Sequence, residues 1–312
     1  MRAFIFPGQG SQAVGMGAAL AEASRTARDL FAEVDEALGQ NLFRLMREGP
    51  EEELRLTENA QPAIMAHSIA VFRVLTTDGG VDLEKAAKFV AGHSLGEYSA
   101  LCAAGSFDVA TTAKLLRLRG QAMQEAVLVG EGAMAALLGA DLALAQRIAE
   151  AAAKGEVCTV ANDNDPSQVV LSGAKGAIDR AIEIAKDMGA KRALSLPVSA
   201  PFHCPLMQPA AEAMADALGN VVILSPAVAV FANVTAAPES DPDKIRNQLV
   251  EQVTGMVRWR ESMLNMADAG VEDFVELGGK VLGSMVKRTV ADARVTSLMT
   301  IEDIEALAKE IA

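Results

Sequence analysis

Histidine, cysteine and positive charge are all scarce in this chain, and each shortage narrows the chemistry. The three cysteines, Cys102, Cys158 and Cys204, stand far apart. With an odd count and no CxxC pair, neither a disulfide framework nor a structural zinc site is expected, and no metal is assigned. Lysine and arginine number 28 against 41 aspartates and glutamates, a formal net charge of -13. That balance argues against nucleic acid as a partner. No hydrophobic run approaches the length of a membrane span, and the apolar residues 3–6 are broken at once by Pro7, too soon for a signal peptide. A cytoplasmic location without a membrane partner is expected. What is present, 312 residues that are 51% hydrophobic and 22% charged, suffices for a large core in one elaborated domain or two.

The chain is organised around Gly92-His93-Ser94-Leu95-Gly96. A β-compatible lead precedes this stretch and a helix-compatible run follows, which is the strand, tight turn and helix of a nucleophile elbow. Gly92 and Gly96 flank the serine because a Cβ at either place would collide with a neighbouring strand or helix. The plain alternative is a glycine-rich turn capped by a serine. A nucleophilic serine needs a base, and only His67, His93 and His203 are available. His93 adjoins Ser94 and points to the opposite side. His67 lies in an apolar helical run, where a lone histidine packs. His203 sits in a proline-framed loop, Pro201-Phe202-His203-Cys204-Pro205, and rigid loops of this kind carry function. Ser94 and His203 form the expected dyad.

Along the chain, short buried strands at residues 3–6 and 89–91 and helices over 16–38, 61–76, 97–104 and 109–126 indicate a parallel α/β sheet. From residue 130 the texture changes. Strands at 133–139, 157–161, 168–172 and 191–197 and helices at 142–153 and 174–188 follow the order β-α-β-β-α-β, with a turn expected at Asn162-Asp163-Asn164-Asp165-Pro166. Helical and strand signals then alternate through residues 204–290. The expected fold is a large α/β-hydrolase-like body with a parallel sheet, residues 1–129 and 200–312, interrupted by a ferredoxin-like (βαββαβ) subdomain, residues 130–199. The active site is expected in the cleft between them.

The ordered set Phe6-Pro7-Gly8-Gln9-Gly10-Ser11-Gln12, Gly92-His93-Ser94-Leu95-Gly96-Glu97, Arg119-Gly120 and Pro201-Phe202-His203 resembles the malonyl-CoA:acyl carrier protein transacylases of bacterial fatty-acid synthesis, over nearly the whole length. The resemblance implies that Ser94 attacks the malonyl thioester, CoA leaves, and the phosphopantetheine thiol of acyl carrier protein takes the acyl group. It implies no permanently bound cofactor, with malonyl-CoA as a substrate. The backbone N–H groups of Gln9 and Leu95 map to the family's oxyanion hole, and glycines beside Gln9 suit a close backbone approach. Arg117 and Arg119 both compete to hold a malonyl carboxylate but lie about 200° apart on a helix; the family's arginine precedes a glycine, which selects Arg119. Its guanidinium can hold a carboxylate with two parallel hydrogen bonds.

In the family a backbone carbonyl orients the histidine, here that of Gln252, giving a dyad rather than a triad. Asn162 maps near the cleft and Gln61 beside the pocket, with an Asx-turn and a helix-capping role as the structural readings. Phe202, just before the histidine, implies malonyl over methylmalonyl groups, because a bulky ring crowds an added methyl. Lys280, Lys287 and Arg288 are candidates for docking the acidic carrier protein. The chain departs from the family at Leu277-Gly278-Gly279-Lys280, where Gly-Pro-Gly-Lys is frequent. A thioesterase using the same dyad and an inactive carrier-binding module are the two other classes of function considered.

Overall fold

Along the first strand, Phe4 and Phe6 enter one buried cluster while Ala3 and Ile5 enter another. A strand buried on both faces belongs to a sheet covered by helices on both sides. The computed structural model, which describes residues 1–311, contains such a sheet. Among the described residues ten strands are formed: β1 (Arg2–Phe6), β2 (Phe89–Gly92), β3 (Gly132–Leu138), β4 (Cys158–Asp165), β5 (Gln168–Ala174), β6 (Arg192–Ser195), β7 (Ala229–Ala232), β8 (Ala237–Glu239), β9 (Asp273–Leu277) and β10 (Arg294–Leu298). The large sheet runs β10-β9-β1-β2-β7-β8, and every pairing in it is parallel except the β7-β8 hairpin. One face packs on helices that include Thr57–Arg73 and Val109–Glu125; the other packs on Trp259–Asp268 and Leu282–Thr289.

The second sheet, β4-β5-β3-β6, is wholly antiparallel. Helices Leu142–Ala153 and Lys175–Ala185 connect its strands in βαββαβ order. Ala135 and Leu137 of β3 turn to these helices, and Met134 and Ala136 turn to the core of the large body. The small sheet is thus also buried on both faces, and its inner face borders the cleft.

Two local expectations are corrected. Residues 16–38 are two helices, Ala18–Ala23 and Arg25–Leu38, because Ser24 takes an extended conformation and its side chain caps the second helix at Ala27 N. The turn expected at residues 162–166 is instead the end of β4, with irregular pairing between Val160 and Asn162 and between Asp163 and Asp165. These polar residues remain in the strand because the large body bonds them. Asn164 Oδ1 lies 2.8 Å from His93 Nε2, Asp163 accepts from Arg260, and Asp165 accepts from Arg288. The strands β8 and β10 and the helices Trp259–Asp268 and Ile301–Ile311 complete the large body. Among the described residues no helix is long and apolar enough to cross a membrane.

Candidate active site

Ser94 sits at the bend between β2 and the helix Gly96–Ala103, with φ +53°. The left-handed conformation is strained for a serine and directs its hydroxyl out of the turn. Both glycines are steric necessities. A Cβ on Gly92 would lie 1.8 Å from the Gly96 carbonyl group, and one on Gly96 would lie 2.3 Å from the Phe6 carbonyl oxygen. Asn233, just past β7, holds the bend closed: its Oδ1 accepts from Ser94 N at 2.8 Å, and its Nδ2 donates to the Gly92 carbonyl at 2.7 Å.

His203, also at positive φ, brings Nε2 to 2.7 Å from Ser94 Oγ, and its Nδ1 lies 2.8 Å from the Gln252 carbonyl. The carbonyl accepts only from an N–H, so the proton sits on Nδ1 and Nε2 is free to accept from the serine. Burial, reinforced by the Arg119 charge, lowers the imidazole pKa from 6.5 to about 3. The base is therefore neutral at physiological pH.

Arg119 is 1% exposed. It donates to Gln61 Oε1 at 2.7 Å, to Gln252 Oε1 at 2.9 Å and to Ser94 Oγ at 3.2 Å. Burial pulls its pKa down, against the opposing pull of Tyr98 and Glu97. No carboxylate bonds it directly among the described residues. Its buried Nε has no hydrogen-bond partner among them, and the guanidinium carbon lies 5.8 Å from the centroid of the Tyr98 ring. Arg117 turns away and bonds Gln40.

A cavity of about 390 Å³ opens in front of these groups, lined by Gln9, Gln61, Ser94, Leu95, Arg119, Asn162, Phe202 and His203 among others. Among the described residues, neither Gln9 N–H nor Leu95 N–H has an internal acceptor. Gly8 allows that approach, since a Cβ there would lie 2.7 Å from the His93 carbonyl oxygen. Two free N–H groups beside a serine are what a developing oxyanion requires. A neutral imidazole on a strained serine, free amides beside it and a buried guanidinium suit acyl transfer from a donor ending in a carboxylate.

A family model described as an acyl transferase domain matches residues 3–303. The chain belongs to this family. Among acyl transferase relatives, the malonyl CoA-acyl carrier protein transacylase of Escherichia coli (strain K12) is 47% identical over 289 residues, 92% of each chain. The acyl-carrier-protein-S-malonyltransferase of Bartonella henselae superposes with a TM-score of 0.97 at 51% identity, covering 99% of both chains. A malonyl-transacylase solved in complex with its type II PKS acyl-carrier protein gives a TM-score of 0.95 at 40% identity, again over 99% of both.

The cavity and its rim bring together Ser94, His203, Arg119, Gln9, Leu95, Gln61, Asn162, Phe202 and Gln252, whereas Arg117, His67, Lys280, Lys287 and Arg288 lie elsewhere. Asn162 is a strand residue on the cavity wall rather than an Asx-turn. Gln61 lies inside the helix Thr57–Arg73 and bonds Arg119, so it caps nothing. Gln252 contributes its side chain as well as its carbonyl. His93 bonds Asn164, and His67 is a packed core residue whose pKa burial lowers to about 4. Arg288 is taken up by buried Asp165, whereas Lys280 and Lys287 are exposed. The three cysteines are free thiols, and among the described residues no cluster of His, Cys, Asp or Glu is placed to hold a metal ion. Glu97 and Asn233 went unnoticed in the sequence; Glu97 stood within the quoted motif, but nothing signalled that Asn233 would meet it.

Proposed function

We propose that this protein transfers a malonyl group from malonyl-CoA to the phosphopantetheine thiol of acyl carrier protein, through a malonyl-Ser94 intermediate, in fatty-acid synthesis. In the first half-reaction His203 Nε2 takes the Ser94 proton as Oγ bonds the thioester carbon, and the N–H groups of Gln9 and Leu95 receive the oxyanion. Collapse breaks the carbon–sulfur bond, and the imidazolium returns its proton to the departing CoA thiolate. In the second half-reaction the carrier thiol gives its proton to His203, its sulfur bonds the acyl carbon, and Oγ leaves with the proton. Throughout, Arg119 holds the malonyl carboxylate.

The observation that carries this reading is a buried guanidinium in hydrogen-bond contact with the nucleophile itself. A general esterase has no need of a cation at that depth, since burying it is costly without an anionic partner. Phe202 beside the dyad supports malonyl over branched acyl groups. Exposed Lys280 and Lys287 are proposed to meet the acidic carrier, and a cytoplasmic location follows from the pathway. We assign residues 1–129 and 200–312 to the catalytic body and residues 130–199 to the subdomain that walls the cleft. Intact-protein mass spectrometry after addition of malonyl-CoA tests the function. A persistent adduct that is absent in Ser94→Ala and discharged by carrier protein is expected; immediate release of free malonate would identify a hydrolase.

A further inference from the structure

Glu97 lies three residues beyond the nucleophile and is 2% exposed, yet none of the steps above uses it. Its Oε2 accepts from Gln252 Nε2 at 2.8 Å and from Asn233 N at 3.0 Å. The first contact matters because a primary amide has a donor end and an acceptor end of nearly equal size. Its neighbours alone decide which way it faces. Gln252 turns Oε1 to Arg119 at 2.9 Å. Its Nε2 faces Glu97 Oε2, the Ser94 carbonyl at 3.0 Å and Asn233 Oδ1 at 3.4 Å. Inverting the amide would set its NH₂ against a guanidinium N–H and its oxygen against those acceptors. The carboxylate is the shortest and the only ionisable of the three, so it contributes most to the preference.

We propose that Glu97 is a positioning residue of the malonyl clamp, holding the Gln252 amide with its oxygen toward Arg119 and so aiming the guanidinium at the acyl carboxylate. This rests on the malonyl-transfer reading above. The dyad depends on Glu97 less than the clamp does. His203 is held by the Gln252 backbone carbonyl, which an amide rotation leaves in place. The elbow is held by Asn233, which is also tied to Gly92. Loss of Glu97 therefore weakens handling of a carboxylate-bearing acyl group more than of a neutral one.

The test compares kcat/KM for malonyl-CoA and acetyl-CoA in Glu97→Ala, Glu97→Met and Glu97→Gln. Met fills the space without an acceptor, so it keeps the test open where an alanine cavity disrupts folding. Folding is checked by thermal unfolding and by fluorophosphonate labelling of Ser94. The malonyl:acetyl ratio is expected to fall about tenfold in Ala and Met, the size of one charge-assisted hydrogen bond. Gln, which can place an oxygen on both Gln252 Nε2 and Asn233 N, is expected to restore it. A ratio unchanged in Ala and Met, with wild-type malonyl transfer intact, overturns the inference alone. A wild-type protein that forms no malonyl-serine overturns the functional reading and this inference with it.

Discussion

The guanidinium of Arg119 touches the hydroxyl of Ser94, with Nη2 3.2 Å from Oγ. One cation therefore faces both the nucleophile and the space that an acyl chain fills once attached to it. The short span between them suits a carboxylate separated from the reacting carbonyl by a single carbon.

From this contact, Arg119→Ala is expected to lower kcat/KM for malonyl-CoA by about 100-fold or more, since a bidentate charge-assisted contact is lost from a buried position. Acetyl-CoA, with no carboxylate to bind, should lose far less and can gain from removal of an unpaired buried charge. Steady-state transfer assays with the two donors decide it. Equal losses would mean that Arg119 serves the serine and not the acyl carboxylate.

Removing the base gives a separate result. His203→Ala leaves Ser94, the free amides and Arg119 in place, so malonyl-CoA still binds while acylation slows by about 10²–10⁴-fold, the usual share of a general base. Stopped-flow acylation read by mass spectrometry should show a slower approach to the same adduct. Undiminished acylation would show that another group accepts the Oγ proton.

How far this site could be read in advance follows from the kind of constraint each residue obeys. The elbow was legible because its glycines answer local steric demands: the two Cβ positions are occupied by backbone. His203 was legible by elimination among three histidines. The bonding of Glu97, Asn233 and the Gln252 side chain was not, because the fold alone brings residues 97, 233 and 252 together, and no local pattern marks an amide that will face a guanidinium. The stretch 162–166 misled for a related reason. Asn, Asp and Pro favour turns in isolation, but here Asp163, Asn164 and Asp165 each find a partner on the large body, and those contacts outweigh local preference. The split at Ser24 went unseen because helical periodicity continues across it.

Protonation links the site to stability in two opposite senses. Burial holds His203 at about 3 and His67 at about 4, against 6.5 when solvated. The unfolded chain binds the extra protons, so these groups add stability as pH rises toward 6.5. Burial instead raises Glu97 from 4.5 to about 7, against the lowering by its Gln252 and Asn233 bonds. The folded state then binds the extra proton, and stability from this group is present below 4.5 and lost as pH rises through 7. The stability of Glu97→Gln relative to wild type, read by thermal unfolding, should therefore rise between pH 5 and pH 8. A constant difference across that range would mean that Glu97 titrates alike in both states.

The elbow's geometry sets a steep steric prediction. Gly92→Ala places a methyl group 1.8 Å from the Gly96 carbonyl group, an overlap that only backbone movement relieves. The expected outcome is a loss of about 3 kcal/mol or more in denaturant unfolding, together with loss of Ser94 labelling. Gly10→Ala is the contrast: nothing lies within 4 Å of its added Cβ, but φ is +102°, so the cost is conformational strain alone, about 1 kcal/mol. If Gly92→Ala were as mild as Gly10→Ala, the turn would be free to shift and the serine would not be held in its strained conformation.

The contact between the small sheet and the helix Trp259–Asp268 of the large body offers the last test, because it is ionic where most of the core is apolar. Arg260 Nη2 lies 2.8 Å from Asp163 Oδ2, with the aspartate side chain 2% exposed and the arginine 28%. Removing the arginine strands a buried carboxylate, whereas removing the aspartate leaves a cation that can turn to solvent. Arg260→Ala should thus cost about 2 kcal/mol, discounted from a fully buried pair for the arginine's exposure, and Asp163→Asn distinctly less. Asn162 precedes Asp163 on β4 and lines the cavity, so loosening this tie should also raise KM for malonyl-CoA while leaving fluorophosphonate labelling of Ser94 intact. Denaturant titration measures the first effect and initial-rate kinetics the second. If the two substitutions were equally destabilising, the pair's own attraction rather than the stranded carboxylate would govern how the small sheet is held on the large body.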